Sequence, residues 1–505
     1  MTGATAVAAT LAAHGVDTVF GIPGTHNLAL YDALARQGTR LVTPRHEQGA
    51  GYAADGYARI SGRPGVVLTT TGPGILNAIA AAGQAYSDSI PLLLISPGVP
   101  TTHPRRSTGY LHETKNQSAA MDAVCAWSHR VTTVAEISSA LAAAFTFFAA
   151  GRPRPVHIEI PADLLDAEGE VTLPGRGGLP EAAAALAGAR RVGIVLGGGA
   201  RNAGEAALRL AEAVDALIVT TINGTGILPT HARNLGPGLF LKATQAWLNS
   251  CDVLVAVGTE LAPSDLWTDF VYEGTLIRVD VDPAQTTDAT IPITARAETA
   301  LPALATLVAN TVRPDHAPRT DLAEVVRRIG EERAALSAPW RAELEAIARA
   351  LPDHAVIAAD NSMFCYYGAL AALPHRFLFP TGFGTLGYAL PAAVGAKVAN
   401  PDLPVCVLAG DGALQFSVQE LATAVELGLN LPIVVAVNGG YGEIRAEMAA
   451  RPMAPVAVDL HGPDFVQLAR AFGARGVACP HDLAGEIGAA FAADRPTVIV
   501  IQEQS

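Results

Sequence analysis

Short runs of aliphatic and β-branched residues alternate with alanine-rich segments of helical period along almost the whole chain, and this constrains the fold more than any other feature. A short run that is apolar on both faces and is followed by a helix reads as a strand that crosses over its sheet to a parallel neighbour. In the first third the runs are TVFGI, RLVTPR, GVVLTTT and PLLLIS, closing at RPVHIEIPADLL (154–165), where a strand ends in Pro161. A second set comprises RRVGIVLGGG, ALIVTTING, DVLVAVGTEL and TLIRVDVDP, ending at 283. The third starts at HAVIAAD (354–360) and includes VCVLAGDG, PIVVAVNGG and PTVIVIQ. The reading is an α/β chain of three doubly wound parallel-sheet domains, 1–165, 186–315 and 340–505. A Gly- and Pro-rich linker is expected at 166–180, and the helical stretch 321–350 leads into the third unit.

At 505 residues, half of them hydrophobic and 16% charged, the chain can bury three cores. A net charge of −13 without a basic cluster argues against nucleic-acid or anionic-membrane partners. Cys125, Cys251, Cys365, Cys406 and Cys479 form no CxxC pair and read as reduced and structural. MTGATAVAATLAAHGVDTVF lacks a basic leader region and reads as a helix running into a strand. No stretch approaches the roughly 18 apolar residues of a membrane span, so a cytoplasmic protein is expected.

GDGA (410–413) closes an apolar run, and LPIVVAV closes on Asn438, 438 − 411 = 27 residues after Asp411. Two parallel strands would thus bring Asp411 and Asn438 to one carboxyl edge of a sheet, where α/β domains bind ligands. A carboxylate, an amide oxygen and a main-chain carbonyl such as that of Gly440 form a hard oxygen set suited to Mg²⁺. Gly410, Gly412, Gly439 and Gly442 allow close backbone approach, and a helix N-terminus offers N–H donors to an anion; the implied ligand is a diphosphate. In FSVQELATAVELG, Ser417 and Glu420 read as a capping box, followed by an apolar face at Val418, Leu421, Ala422, Val425 and Leu429, with Gly428 as the stop.

GDGA followed at this spacing by VNGGYG resembles the diphosphate-binding motif of the thiamine-diphosphate-dependent enzymes, of the acetolactate synthase and benzoylformate decarboxylase type. Val437 stands where the family has a first Asn, and Ala413 where a Ser is frequent. The resemblance extends over GIPGTHN, TPRHEQGAGYAADGYAR, TTTGPGILNAIAAAGQAYSDSIPLLLIS, RPRPVHIEIPAD and TGFGTLGYALPAAVGAK. It implies pyrimidine-binding, central and diphosphate-binding domains. It also implies that Glu47 hydrogen-bonds the cofactor aminopyrimidine, and that Leu386, after Thr385, wedges the cofactor into a bent shape. Pro23, Gly24, Gly72, Asn77, Gly410, Gly412, Ala413, Tyr441, Gly442 and Glu443 would line the cofactor. Asp411, Asn438 and Gly440 would hold Mg²⁺. Active sites would lie between subunits of a homodimer or homotetramer.

The same resemblance implies non-oxidative decarboxylation of a 2-oxo acid through a ylid and an enamine. An acetolactate-synthase-like carboligase is the alternative, and a non-catalytic homologue the second. His112, in STGYLHETKNQ, matches a position facing the thiazolium, and Thr25, beside His26, a polar pocket position. The continuation GYGEIRAEM lacks the Gly-Met-Val and Gln-Trp of acetolactate synthases. It also lacks the Thr-Ile-Glu of pyruvate-type decarboxylases, whose paired N-terminal-domain histidines are missing too. GIPGTHN, GYLHE, VGTELAPSD and GYGEIR together are similar to the 2-ketoarginine (5-guanidino-2-oxopentanoate) decarboxylase branch. Glu443, Asp265 and Glu113 are then candidate partners for a cationic tail. GIVLGGGARNAGEAALRL has the strand, Gly-rich turn and helix of a dinucleotide site but not the full GxGxxG with its acidic residue, so a structural turn is favoured and FAD is unsupported.

Overall fold

The computed structural model describes residues 2–104, 108–150, 152–166, 179–228, 231–268, 270–281, 285, 289–310, 322–451, 453–478 and 480–503. Among them are three sheets of six parallel strands. The first contains β1 (Thr18–Gly21), β2 (Arg40–Val42), β3 (Gly65–Leu68), β4 (Leu92–Gly98), β5 (Trp127–Arg130) and β6 (Val156–Pro161), in the spatial order β2-β1-β3-β4-β6-β5. The second contains β7 (Val192–Leu196), β8 (Leu217–Thr220), β9 (Asn234–Pro237), β10 (Val253–Val257), β11 (Thr275–Asp280) and β12 (Ile291–Thr294), ordered β12-β11-β10-β7-β8-β9. The third contains β13 (Val356–Ala359), β14 (Arg376–Leu378), β15 (Val405–Gly410), β16 (Pro432–Val437), β17 (Arg475–Ala478) and β18 (Thr497–Gln502), ordered β14-β13-β15-β16-β18-β17.

Interior strands such as β4 and β6 are buried at every position, as continuous apolar runs covered by helices on both faces require. The first and third sheets share one strand permutation, so each has its switch point between its first and third strands in chain order: β1 and β3, or β13 and β15. The middle sheet instead reverses between β7 and β10. Ligands bind outside the carboxyl ends of strands at such points.

The first and third units share a core. The Glu47–Ser61 helix crosses the Ala389–Ala399 helix so closely that a Cβ on Gly56 would stand 2.2 Å from the Ala392 carbonyl oxygen, and one on Gly395 1.8 Å from that of Ala53. One hydrophobic cluster accordingly runs from Phe20 and Tyr52 through to Tyr388, Val407 and Ile433. Polar groups inside the contact are mutually paired. Arg59 bonds Asp55 at 2.6 Å and Asp88 at 2.8 Å, and the Tyr388 hydroxyl donates to Asp55 at 2.7 Å. Arg59 also donates to Asn223 of the middle unit at 2.8 Å.

Two local expectations need correction. Ser417 does not cap a helix: its hydroxyl is buried without a partner, Asp411–Leu414 already forms one helical turn, and the next helix is Glu420–Glu426. Glu420 is not a capping-box residue either. Its carboxylate accepts the Arg45 N–H at 3.2 Å and the Thr423 hydroxyl at 2.7 Å, and burial pushes its pKa up. Most of the expected linker lies outside the described residues, and its end is already helical in Leu179–Gly188. Cys125, Cys251, Cys365 and Cys406 are buried and in no disulfide; Cys479 lies outside the described residues. No helix among the described residues is long and apolar enough to cross a membrane.

Candidate active site

At the carboxyl edge of the first sheet, the loops after β1, β2 and β3 carry Pro23, Gly24 and Thr25, then Glu47, then Gly72 and Asn77. Glu47 opens its helix, with His46 as N-cap accepting the Gln48 N–H at 3.1 Å. Contrary to a fully buried carboxylate, Glu47 is half-buried, and one oxygen accepts from the Asn77 amide at 2.9 Å. Gly72 has φ +67°, and a Cβ there would lie 2.3 Å from the His112 carbonyl oxygen, so the His112 loop sits directly on this turn. The Gly72 N–H is held at 2.8 Å by buried Gln117.

His112 has φ +62° and a buried Nδ1 with no hydrogen-bond partner. Its ring meets that of His26 edge-on at 5.3 Å, and His26 in turn stacks on Tyr110 at 5.9 Å. Burial, followed by the charge on His112, holds His26 below the ordinary histidine range. The chain has no adjacent histidine pair, yet folding assembles one from residues 86 positions apart (112 − 26). Thr25 and Pro23 are exposed beside it.

The third sheet carries the second half-site. β15 and β16 pair in register, Gly410 against Ala436, so Asp411 and Asn438 leave adjacent strands at the same edge. Asp411 Oδ2 accepts the Gly439 N–H at 3.0 Å, while Asp411 Oδ1 and Asn438 Oδ1 are both buried with no donor. Two buried atoms that can only accept call for a cation. The Asn438 amide nitrogen donates to Glu503 at 3.0 Å, which assigns the orientation of its oxygen. The Gly440 carbonyl faces Gly412, 3.1 Å from where a Cβ on Gly412 would stand. No group of three His, Cys, Asp or Glu side chains that could hold a metal occurs among the described residues, so these oxygens fit Mg²⁺ completed by diphosphate better than a thiolate or imidazole centre.

Around this edge, Ala413 is buried, Tyr441 donates its N–H to Val458 at 2.9 Å, and Gly442 and Glu443 open the next helix. The 381–388 loop bearing Leu386 is anchored from below: Asp360 accepts the N–H groups of Gly387 (3.0 Å), Tyr388 (3.3 Å) and Ala389 (3.1 Å). Burial raises Asp360 to about 6, opposed by those donors. Thr385 bonds the Tyr52 hydroxyl at 2.6 Å, and Leu386 is half-buried. Asp360, Glu420 and Glu503 position the site but escape sequence reading, because each acts through a partner distant in the chain. Glu47 shares no hydrogen bond with Asp411 or Asn438 among the described residues.

In the middle sheet two amides of the Gly-rich turn after β7 are already paired: Gly197 donates to Val257 at 2.9 Å and Gly199 to Gly258 at 3.1 Å. A cavity of about 630 Å³ adjoins it, lined among others by Arg201, Asp265 and Arg376.

Residues 1–120 match the N-terminal TPP-binding domain of thiamine pyrophosphate enzymes, 179–304 their central domain and 360–501 their C-terminal TPP-binding domain. A probable 2-ketoarginine decarboxylase of Pseudomonas aeruginosa is 42% identical over 96% of this chain and 90% of its own length. An acetolactate synthase of Mycobacterium bovis is 32% identical over 95% and 84%, and the isozyme 3 large subunit of acetolactate synthase from Escherichia coli 31% over 97% and 92%. With its three sheets, its acidic residue over one sheet edge and its cation-seeking oxygens over another, the chain belongs to the thiamine pyrophosphate enzyme family.

Proposed function

We propose that this chain is a cytoplasmic, Mg²⁺-dependent decarboxylase of a 2-oxo acid with a cationic guanidino tail. The buried, donorless oxygens of Asp411 and Asn438 carry this reading, because they leave room for a cation and no donor among the described residues satisfies them. Asp411, Asn438 and the Gly440 carbonyl would hold Mg²⁺ and, through it, the diphosphate. Gly410, Gly412, Ala413, Tyr441 and Gly442 would line that end of the cofactor, and Leu386 with Thr385 its bend. Pro23, Gly24, Gly72 and Asn77 line the pyrimidine end.

Bound thiamine diphosphate supplies the electron sink that lets CO₂ leave a 2-oxo acid. Glu47 holds a proton at the pyrimidine end, with Asn77 fixing one of its oxygens. His112, with His26 against it, offers an imidazole to protonate the product carbon, and Thr25 orients the substrate carbonyl. A non-oxidative reaction needs no electron transfer from a flavin, and the paired amides of Gly197 and Gly199 favour a structural turn, so FAD stays unsupported.

Each half-site is flanked by large apolar side chains open to solvent. Leu76 and Leu111 are 37% and 56% exposed on the pyrimidine side, and Phe383, Phe416 and Ile444 are 50%, 48% and 47% exposed on the metal side. Such surface supports burial against a second copy, in a homodimer or homotetramer that unites Glu47 of one chain with Asp411 of another.

The test incubates enzyme, thiamine diphosphate and Mg²⁺ with a panel of 2-oxo acids, with and without an aldehyde acceptor. Aldehyde and CO₂ support the proposal; hydroxyketones would shift it to the carboligase suggested by the acetolactate synthase relatives. In parallel, Glu47→Gln should retain the cofactor and slow exchange of its C2 proton by roughly a hundredfold or more, followed by NMR. Unchanged exchange would sink Glu47's role.

A further inference from the structure

Three carboxylates were candidates to meet a cationic substrate tail, and their surroundings separate them. Glu113 is filled by its own loop, accepting the N–H groups of Thr108 and Gly109, both at 2.9 Å, with His103 at 3.3 Å. Asp265 accepts the Ile222 N–H at 3.4 Å and lines the middle-sheet cavity, whose lining includes neither Asp411 nor Asn438. Glu443 differs from both: Oε1 accepts the Tyr367 hydroxyl at 2.6 Å, while Oε2 is buried with no donor.

The placement of Glu443 is equally specific. It lies in the first turn of the Gly442–Ala450 helix, one residue beyond a glycine whose Cβ would stand 2.5 Å from the Asn438 amide nitrogen. The metal residues are therefore on one side of it. On the other lies an aromatic cluster. Trp267, from the middle unit, meets Tyr366 and Tyr367 edge-on at 5.9 and 5.5 Å and stacks on Phe240 at 4.0 Å. A planar cation suits this setting, since its edge donates to a carboxylate while its faces lie against aromatic rings.

Resting on the decarboxylase reading above, we propose that Glu443 is the specificity-determining residue for the substrate tail. Its Oε2 accepts the guanidinium of a 5-guanidino-2-oxo acid, and Tyr367 holds the carboxylate in place from Oε1. A neutral chain of equal length leaves Oε2 unpaired, and a site built to pair a polar group rejects the analogue that lacks it.

The test compares kcat/KM for 5-guanidino-2-oxopentanoate with that for 2-oxooctanoate, a neutral acid of the same length, using enzyme reconstituted with thiamine diphosphate and Mg²⁺. In Glu443→Gln the guanidino-to-neutral ratio should fall roughly ten- to a hundredfold, chiefly through KM, the range of one hydrogen bond to a charged group. Tyr367→Phe, which keeps the ring and deletes only the hydroxyl, should move the ratio the same way by a smaller factor. Because the readout is a ratio within one preparation, partial misfolding of a variant does not imitate it. A ratio unchanged in both variants, or a wild-type preference for the neutral acid, overturns the assignment of Glu443 and leaves the decarboxylase standing. Release of CO₂ from none of the acids overturns the decarboxylase reading, and this assignment with it.

Discussion

The Asn438 side chain is oriented by Glu503, 65 positions away, which holds its amide nitrogen and leaves its oxygen for the proposed cation. Outer partners of metal ligands fix orientation and affinity together. Glu503→Ala should therefore weaken Mg²⁺-dependent cofactor binding by about tenfold or more, measured by Mg²⁺ titration with thiamine diphosphate present. Asp411→Ala should abolish that binding. Local motifs make Asp411, Asn438 and Glu47 readable from the chain, because each sits at a strand end beside glycine or a helix start. Glu503 and Asp360 follow strand ends with neither a glycine nor a helix start beside them, and Ser417 misleads: its spacing to Glu420 satisfies a capping rule, while tertiary contact draws Glu420 onto Arg45 instead.

Among elements, the strands that can be read from the chain are the interior ones, with β2 the one edge strand that its short apolar run also reveals. β4 and β10 are buried at every position and stand out as apolar runs. β5, β9, β12, β14 and β17 are absent from the sequence reading, and every one lies at a sheet edge. β5 is only half-buried along its length and β17 exposed at both ends, so neither needs the apolar composition that reveals an interior strand. The helix crossing also depends on shape. Since a Cβ on Gly395 would fall within 1.8 Å of the Ala53 carbonyl oxygen, Gly395→Val should cost about 3 kcal/mol or more and lower the denaturation midpoint.

For the molecule as a whole, the first and third units repeat one strand order and carry their half-sites on equivalent edges, with apolar surface open beside both. If the halves unite between subunits, Glu47→Gln and Asp411→Ala enzymes, each inactive alone, should regain activity when unfolded together and reassembled. A mixed dimer holds one site with both residues intact; a site within one chain would restore none. Sequence alone determined the parallel α/β architecture and the cofactor class, and marked Glu47, Asp411 and Asn438 as candidates for the two ends of the cofactor, because burial pattern and short motifs are local properties of the chain. Only the tertiary structure decided the His26–His112 pair, the buttresses under Asp411, Asn438 and Leu386, and the seating of Glu443 against Tyr367 near Trp267. Those groups come from separate strand ends, and only packing brings such ends within hydrogen-bond or ring-contact distance.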